Sequence, residues 1–179
     1  MPRDVVLHPV PIMGMFNRWS VDLGGPFPLS EYENDYIMVM IEHFSKWVEV
    51  VAIPTKESCE TVRVFRQYVL CRYGARAEVL TYQGTEIRGE FQERLDEALI
   101  DHRRTSRDHP QADGLAKRMV QTLKVALRKA CLTGKVSGWE DWLATITMGY
   151  RMSTHEGLVH LSPYLLSIWP TAAAGPERF

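Results

Sequence analysis

The chain has 179 residues, a length that fits one domain with short irregular extensions. Hydrophobic residues make up 45% of the chain and charged residues 24%, a balance that predicts a packed core and excludes general disorder. The net charge of −1 excludes a globally basic nucleic-acid-binding composition, so any such binding would require a local patch.

Three strands are predicted first, after an extended lead-in over residues 1–17. The predicted strands are 18–23, 36–42 and 47–53. The first strand alternates apolar residues with Ser20 and Asp22, which predicts one apolar and one polar face. The second is a continuous apolar run, which is typical of a strand buried on both faces. Short connections between the three strands predict an antiparallel meander.

Helical spacing dominates the rest of the chain. Helices are predicted at 56–73, 89–99, 114–132 and 139–150, strands at 77–81 and 101–105, a polar loop at 106–113 and a short turn at 163–166. The resulting order, βββ-α-β-α-β-α-α, predicts an α/β domain over residues 18–168 with a mixed sheet covered by helices. Residues 169–179 are expected to form an irregular tail.

Cysteine and histidine positions give no pattern of a structural metal or disulfide site. The three cysteines, Cys59, Cys71 and Cys131, are isolated, so we predict neither a disulfide framework nor a cysteine-based zinc site. His155 and His160 lack partner ligands and are interpreted as surface or core histidines.

No apolar run approaches the ~20 residues of a membrane helix, and no signal peptide is evident. We therefore expect an intracellular protein without a membrane segment.

Five motifs occur in order along the chain. They are WSVDLGGPFP at 19–28, YIMVMIEHFSKW at 36–47, LTYQGTE at 80–86, HPQADGLAKR at 109–118 and LSPY at 161–164. Together these motifs resemble the integrase catalytic core of gypsy-type retrotransposons, over residues 17–168. The resemblance implies a ribonuclease H-like fold, with a mixed five-stranded sheet of three antiparallel strands plus a βαβα unit.

The resemblance also implies where the catalytic carboxylates of the family would lie. Integrase cores hold two divalent metal ions with an Asp-Asp-Glu trio for in-line phosphoryl transfer. The matching positions here are Asp22, which is retained, Tyr82 in place of the second aspartate, and Lys117 in place of the glutamate. A phenol is a poor ligand for Mg²⁺, and an ammonium repels it. We therefore expect no metal cofactor; Mg²⁺ or Mn²⁺ would bind, through Asp22, only if the site were active.

Substitution and pairing hypotheses follow from these two replacements. Glu86 and Asp113 are the nearby carboxylates, Glu86 beyond a turn and Asp113 on the predicted loop, and we do not expect them to restore the site. One hypothesis is that Lys117 fills the vacated position and pairs with Asp22, with Tyr82 packed nearby. The alternative is that Lys117 extends to solvent.

Basic residues form a stripe on the helix predicted at 114–132. Lys117, Lys124 and Arg128 are spaced so that they share one face, and Arg118 flanks them. The resemblance implies a surface that contacts nucleic-acid phosphates. The alternative is the solvated face of an amphipathic helix, where lysines usually lie.

Three functional hypotheses result. The first is a catalytically inactive integrase-core-like domain, a pseudoenzyme derived from a DNA-integration enzyme, with a structural or protein-interaction role in a larger assembly. The second is a non-catalytic nucleic-acid-binding domain, and the third an active DNA integrase with a rearranged site. Family analogy implies a homodimer, and nuclear localisation is expected if the ancestral role persists. A domesticated copy and an element remnant are both compatible with the sequence.

Overall fold

The computed structural model describes residues 14–74, 78–81, 90–97, 102–104, 110–132 and 138–168. Residues 1–13 of the predicted lead-in and the predicted tail, 169–179, lie outside the described residues. Among the described residues, no helix combines the length and the apolar character that a membrane crossing requires.

The sheet contains the predicted antiparallel meander. Its strands are β1 (Arg18–Gly24), β2 (Tyr36–Glu42), β3 (Val48–Ile53), β4 (Glu78–Thr81) and the three-residue β5 (His102–Arg104). β1 pairs antiparallel with β2 and parallel with β4, so the sheet is mixed, in the order β3-β2-β1-β4-β5. The mixed α/β architecture is confirmed and is compatible with a ribonuclease H-like fold.

Helices cover both faces of the sheet. They are α1 (Ser58–Phe65), a π-helical turn (Arg66–Leu70), α2 (Cys71–Tyr73), α3 (Glu90–Glu97), α4 (Pro110–Leu132), α5 (Asp141–Met152) and α6 (Pro163–Ile168). On one face of the sheet, Trp19 and Met40 pack with Phe65 and Val69 of the α1 layer. On the other face, Ile37, Val39 and Ile41 pack against α4 and α5. β2 is therefore buried on both faces, as its apolar sequence predicted.

Three predicted assignments were wrong. Residues 110–113 belong to helix α4 rather than to a polar loop, because Pro110 suits a first helical turn, where its missing N–H is not needed. Helix α5 starts at Asp141 rather than at 139, and the indole N–H of Trp139 donates to the carbonyl oxygen of Pro28 at 2.6 Å. The predicted turn at 163–166 is instead part of the short helix α6.

Candidate functional site

Asp22 lies in the centre of the sheet, on β1 opposite Val39 of β2. Val21 next to it is fully buried in the core on one face, and the Asp22 side chain is half-buried on the other. Gly24 shares the Asp22 face, and a Cβ on Gly24 would lie 3.0 Å from Cγ1 of Val120 on α4. The predicted polar face of β1 is therefore covered by α4, and only the Asp22 position retains partial access to solvent.

The Asp22 carboxylate lies in a positive local field. Its Oδ1 accepts a hydrogen bond from the backbone N–H of Leu23 at 3.0 Å. Burial raises the pKa of the Asp22 carboxyl above its ordinary value, whereas the Leu23 N–H and the charges of Lys117 and Lys124 lower it. Two ammonium groups of α4 thus act on this carboxylate.

Lys117 and Lys124 differ in exposure. Lys117 is exposed, as expected for a side chain that extends to solvent, yet its charge acts on Asp22. Lys124 is half-buried one heptad later on the same helix face. Sequence reasoning assigned Lys124 only to the nucleic-acid stripe, although its seven-residue spacing from Lys117 was the signal that both would approach the same strand. Direct pairing of Lys117 with Asp22 stays a prediction.

The other predicted catalytic position falls beyond β4. β4 ends at Thr81, which pairs with Val21, the residue before Asp22. Tyr82 and Glu86 lie outside the described residues. Asp113 lies in the first turns of α4, so its predicted position on a loop was wrong.

The basic stripe divides into two groups. Lys117 and Lys124 act on Asp22, and Arg128 is exposed further along α4. Arg118 is also exposed, but its charge acts on Lys46 and on Tyr150 of α5. The helical spacing predicted the first group, whereas the partners of Arg118 come from elements far away in the sequence.

One buried polar contact near the site had no signal in the sequence. Ser20 on β1 is fully buried, and its hydroxyl lies 2.6 Å from Nε2 of His43. Burial, together with the charges of Lys46 and Arg18, lowers the pKa of His43 to about 4, so its imidazole is neutral at pH 7. The Ser20 hydroxyl and Nε2 of the neutral imidazole share a hydrogen bond, and this contact links the start of β1 to the β2–β3 turn.

Among the residues that the structure describes, the donor set around Asp22 does not fit a pair of divalent cations. In the part of the chain that the structure describes, no three His, Cys, Asp or Glu side chains come together in a group suited to a metal ion. Mg²⁺ and Mn²⁺ prefer several hard oxygen ligands. Asp22 supplies one carboxylate, and the charges of Lys117 and Lys124 on α4 act on it.

The amino-acid sequence is similar to segments of several longer polyproteins. The chain is 28% identical over 166 residues to the retrovirus-related Pol polyprotein from transposon 412 of Drosophila melanogaster. It is similar to Pol polyproteins of retroviruses and retrotransposons. The Gag-Pol polyprotein of koala retrovirus is 28% identical over 148 residues, and the Pol polyprotein of radiation murine leukemia virus is 28% identical over 153 residues. No family model matches the chain.

These matches cover most of the chain but little of each relative. The match to the transposon 412 polyprotein covers 92% of this chain, and the match to each of the two viral proteins covers 82% of it. The chain spans only 13%, 8% and 25% of the respective relatives. The similarity is consistent with an integrase-like domain of retroelement origin, as the motifs predicted; the gypsy-type assignment stays a prediction.

Proposed function

We propose that this chain is an integrase-core-like domain, derived from a DNA-integration enzyme, that no longer catalyses phosphoryl transfer and has a structural or protein-interaction role. The similarity to Pol polyproteins over most of the chain supports the origin. The loss of catalysis follows from charge: Asp22 keeps a carboxylate, but Lys117 brings a cation where the family has a glutamate.

One observation carries the proposal: the charges of Lys117 and Lys124 act on the Asp22 carboxylate. Two divalent ions at this position would have to overcome repulsion from both ammonium groups while gaining one anionic ligand. In an active site of this class, clustered carboxylates neutralise the metals instead. The proposed site therefore holds tethered cations in place of the metal ions.

The decisive experiment is reversion of both replaced positions. The variant that combines Tyr82→Asp with Lys117→Glu is assayed for cleavage and joining of DNA ends in Mn²⁺, beside the unmodified chain. We expect activity only in the double variant. A triple variant that adds Asp22→Asn is the control, and it should lose any activity that the double variant gains.

The contrary outcome is equally clear. If the unmodified chain joins or cuts DNA ends in Mg²⁺ or Mn²⁺, and Asp22→Asn abolishes that activity, the third hypothesis, an active enzyme with a rearranged site, replaces this proposal.

The interaction role is tested separately by purifying the native protein. Stable protein partners that persist after nuclease treatment would support it, and a chain that purifies alone or only with nucleic acid would contradict it.

Nucleic-acid binding without catalysis is the second candidate. It is favoured by the exposed Lys117 and Arg128 and the half-buried Lys124 on one side of α4. Phosphate contacts by such residues release counterions, so affinity should fall steeply as salt rises. The overall charge of −1 limits binding to this surface.

Paired charge reversals test this candidate. Lys124→Glu with Arg128→Glu should abolish salt-dependent binding to duplex DNA. The matched control is Arg63→Glu with Arg66→Glu, which makes the same charge change at exposed positions of the opposite helical layer. Equal weakening by both pairs would mean that net charge, rather than the α4 surface, governs the association.

A further inference from the structure

The loop between β1 and β2, residues 25–35, is held against the start of α5. The indole N–H of Trp139 donates to the carbonyl oxygen of Pro28 at 2.6 Å. The Glu140 carboxylate accepts the Ser30 hydroxyl at 2.6 Å and the side-chain N–H of Asn34 at 3.0 Å. Both sides of the loop tip are therefore fastened to the same two residues before α5.

The tip of this loop is a closed turn. The backbone N–H of Ser30 donates to the carbonyl oxygen of Asn34 at 2.9 Å, and the N–H of Glu33 donates to the carbonyl oxygen of Ser30 at 3.1 Å. The Ser30 hydroxyl oxygen also accepts the N–H groups of Tyr32 at 3.2 Å and Asn34 at 3.1 Å. The side chains at the tip thus extend from a backbone whose polar groups bind one another.

Two large apolar side chains on this loop are exposed. Leu29 is 71% exposed and Tyr32 is 67% exposed. Single exposed apolar residues are ordinary on a protein surface, but a pair on one anchored turn forms a patch that a partner can cover. Tyrosine is among the side chains that contribute most to binding at protein interfaces. Because the turn is already ordered, contact with it costs little conformational entropy.

The charge around this apolar pair is negative. Glu31 and Glu33 flank Tyr32, and both are exposed. Within the described part of the chain, neither carboxylate lies in an ion pair. The sequence contains no Lys or Arg between Arg18 and Lys46, so the loop carries no cation of its own.

The sign of this charge decides which class of partner can dock. The phosphates of nucleic acid and the head groups of an anionic membrane would be repelled by the two carboxylates. A wholly apolar partner would leave both carboxylates without an opposite charge. A protein segment that carries Lys or Arg beside an apolar pocket complements the carboxylates and the apolar pair together.

We propose that the β1–β2 loop docks a basic segment of another protein, with Leu29 and Tyr32 in an apolar pocket and Glu31 and Glu33 paired with its Lys or Arg side chains. This inference rests on the interaction role proposed above and names the surface and the chemistry of the partner. It involves neither Asp22 nor the basic side of α4.

Selection from a random peptide library displayed on phage, with the whole chain as bait, tests this surface. We expect the enriched peptides to carry net positive charge and a large apolar residue. The test variants are Leu29→Ser with Tyr32→Ser, and Glu31→Lys with Glu33→Lys. Each pair should weaken binding of the enriched peptides at least ~10-fold in calorimetry.

Matched control pairs make the same changes at other exposed positions. Leu165→Ser with Ile168→Ser removes two exposed apolar side chains of α6. Glu57→Lys with Glu156→Lys reverses two exposed carboxylates outside the loop. Each control should change peptide affinity less than ~2-fold. Enriched peptides without positive charge, no enrichment at all, or equal weakening by test and control pairs would overturn the proposal.

Two further measurements separate this inference from the interaction role on which it rests. Protein partners that stay bound to the native chain carrying either test pair would leave the interaction role standing and overturn docking at the loop. Self-association of the purified chain, followed by sedimentation, identifies a second copy as the occupant if the test pairs abolish it. That result would also overturn the proposal of a basic partner.

Discussion

Arg151 joins helix α5 to the edge strand β3, and its replacement by methionine should destabilise the fold. Its Nε and Nη2 donate to the carbonyl oxygen of Val48 at 2.9 and 2.7 Å, and Nη2 donates to Oε2 of Glu49 at 2.8 Å. The guanidinium lies 4.2 Å from the centroid of the Trp47 ring. Glu49 is only 5% exposed, so its carboxylate depends on such partners.

The expected loss can be worked from these contacts. The bond to the neutral carbonyl contributes about 1 kcal/mol and the charge-assisted bond about 2 kcal/mol. The cation–π contact adds about 0.5 kcal/mol at a partly exposed position. Glu49 keeps the indole N–H of Trp47 at 3.1 Å and the hydroxyl of Tyr73 at 2.6 Å, so its carboxylate is not left without donors. We therefore expect Arg151→Met to lower the free energy of unfolding by about 3.5 kcal/mol.

Urea denaturation at pH 7 measures this change, with the slope of the transition as a check on the compactness of the unfolded state. The matched control is Arg63→Met. Arg63 has a 59% exposed side chain and forms a surface pair with Glu60, so its loss should cost less than about 1 kcal/mol. If Arg151→Met costs no more than Arg63→Met, the Glu49 contacts do not hold α5 on the sheet edge and the reasoning fails.

Three further changes test other parts of the structure. Gly24→Ala should cost about 1–3 kcal/mol in denaturation, because its Cβ would lie 2.9 Å from Cγ1 of Ile37 and 3.0 Å from Cγ1 of Val120; a neutral result would mean that these two side chains shift freely. Since the pKa of His43 is lowered to about 4 from 6.5, the unfolded chain binds the proton first. Stability should therefore fall as pH drops from 6.5 through 4, and His43→Gln should flatten that fall; an unchanged profile would contradict it. Trp139→Phe should cost about 1 kcal/mol and speed proteolysis of the β1–β2 loop, through loss of the bond to Pro28; unchanged cleavage would count against this docking.

Local periodicity predicted the layers of the fold well. The helical period of the segment predicted at 114–132 puts Met119, Val120, Leu123 and Leu127 on one face, and all four are buried against the sheet. The apolar run at Tyr36–Glu42 is buried on both faces, as expected. Such predictions succeed because the helical and strand periods alone decide which side chains can share a face.

Boundaries and local irregularities were less predictable. The π-helical turn at Arg66–Leu70 interrupts a segment predicted as one regular helix. This turn precedes Arg72 and Tyr73, both of which donate to Oε1 of Glu49. Their partner lies more than twenty residues earlier in the chain, so no local pattern could indicate it.

The sequence by itself determined the periods of the strands and helices, because these depend only on the order of apolar and polar residues. Through its motifs it also showed that Tyr82 and Lys117 stand where the family has carboxylates, because the chemistry of a side chain is fixed by its residue type. Only the tertiary structure decided which charges meet. In the folded chain the charge of Lys124 acts on Asp22 and the charge of Arg118 acts on Lys46, and Arg151 binds a strand 103 residues away. Electrostatic contacts of this kind depend on distances of a few ångströms between remote segments, which packing of the whole core sets.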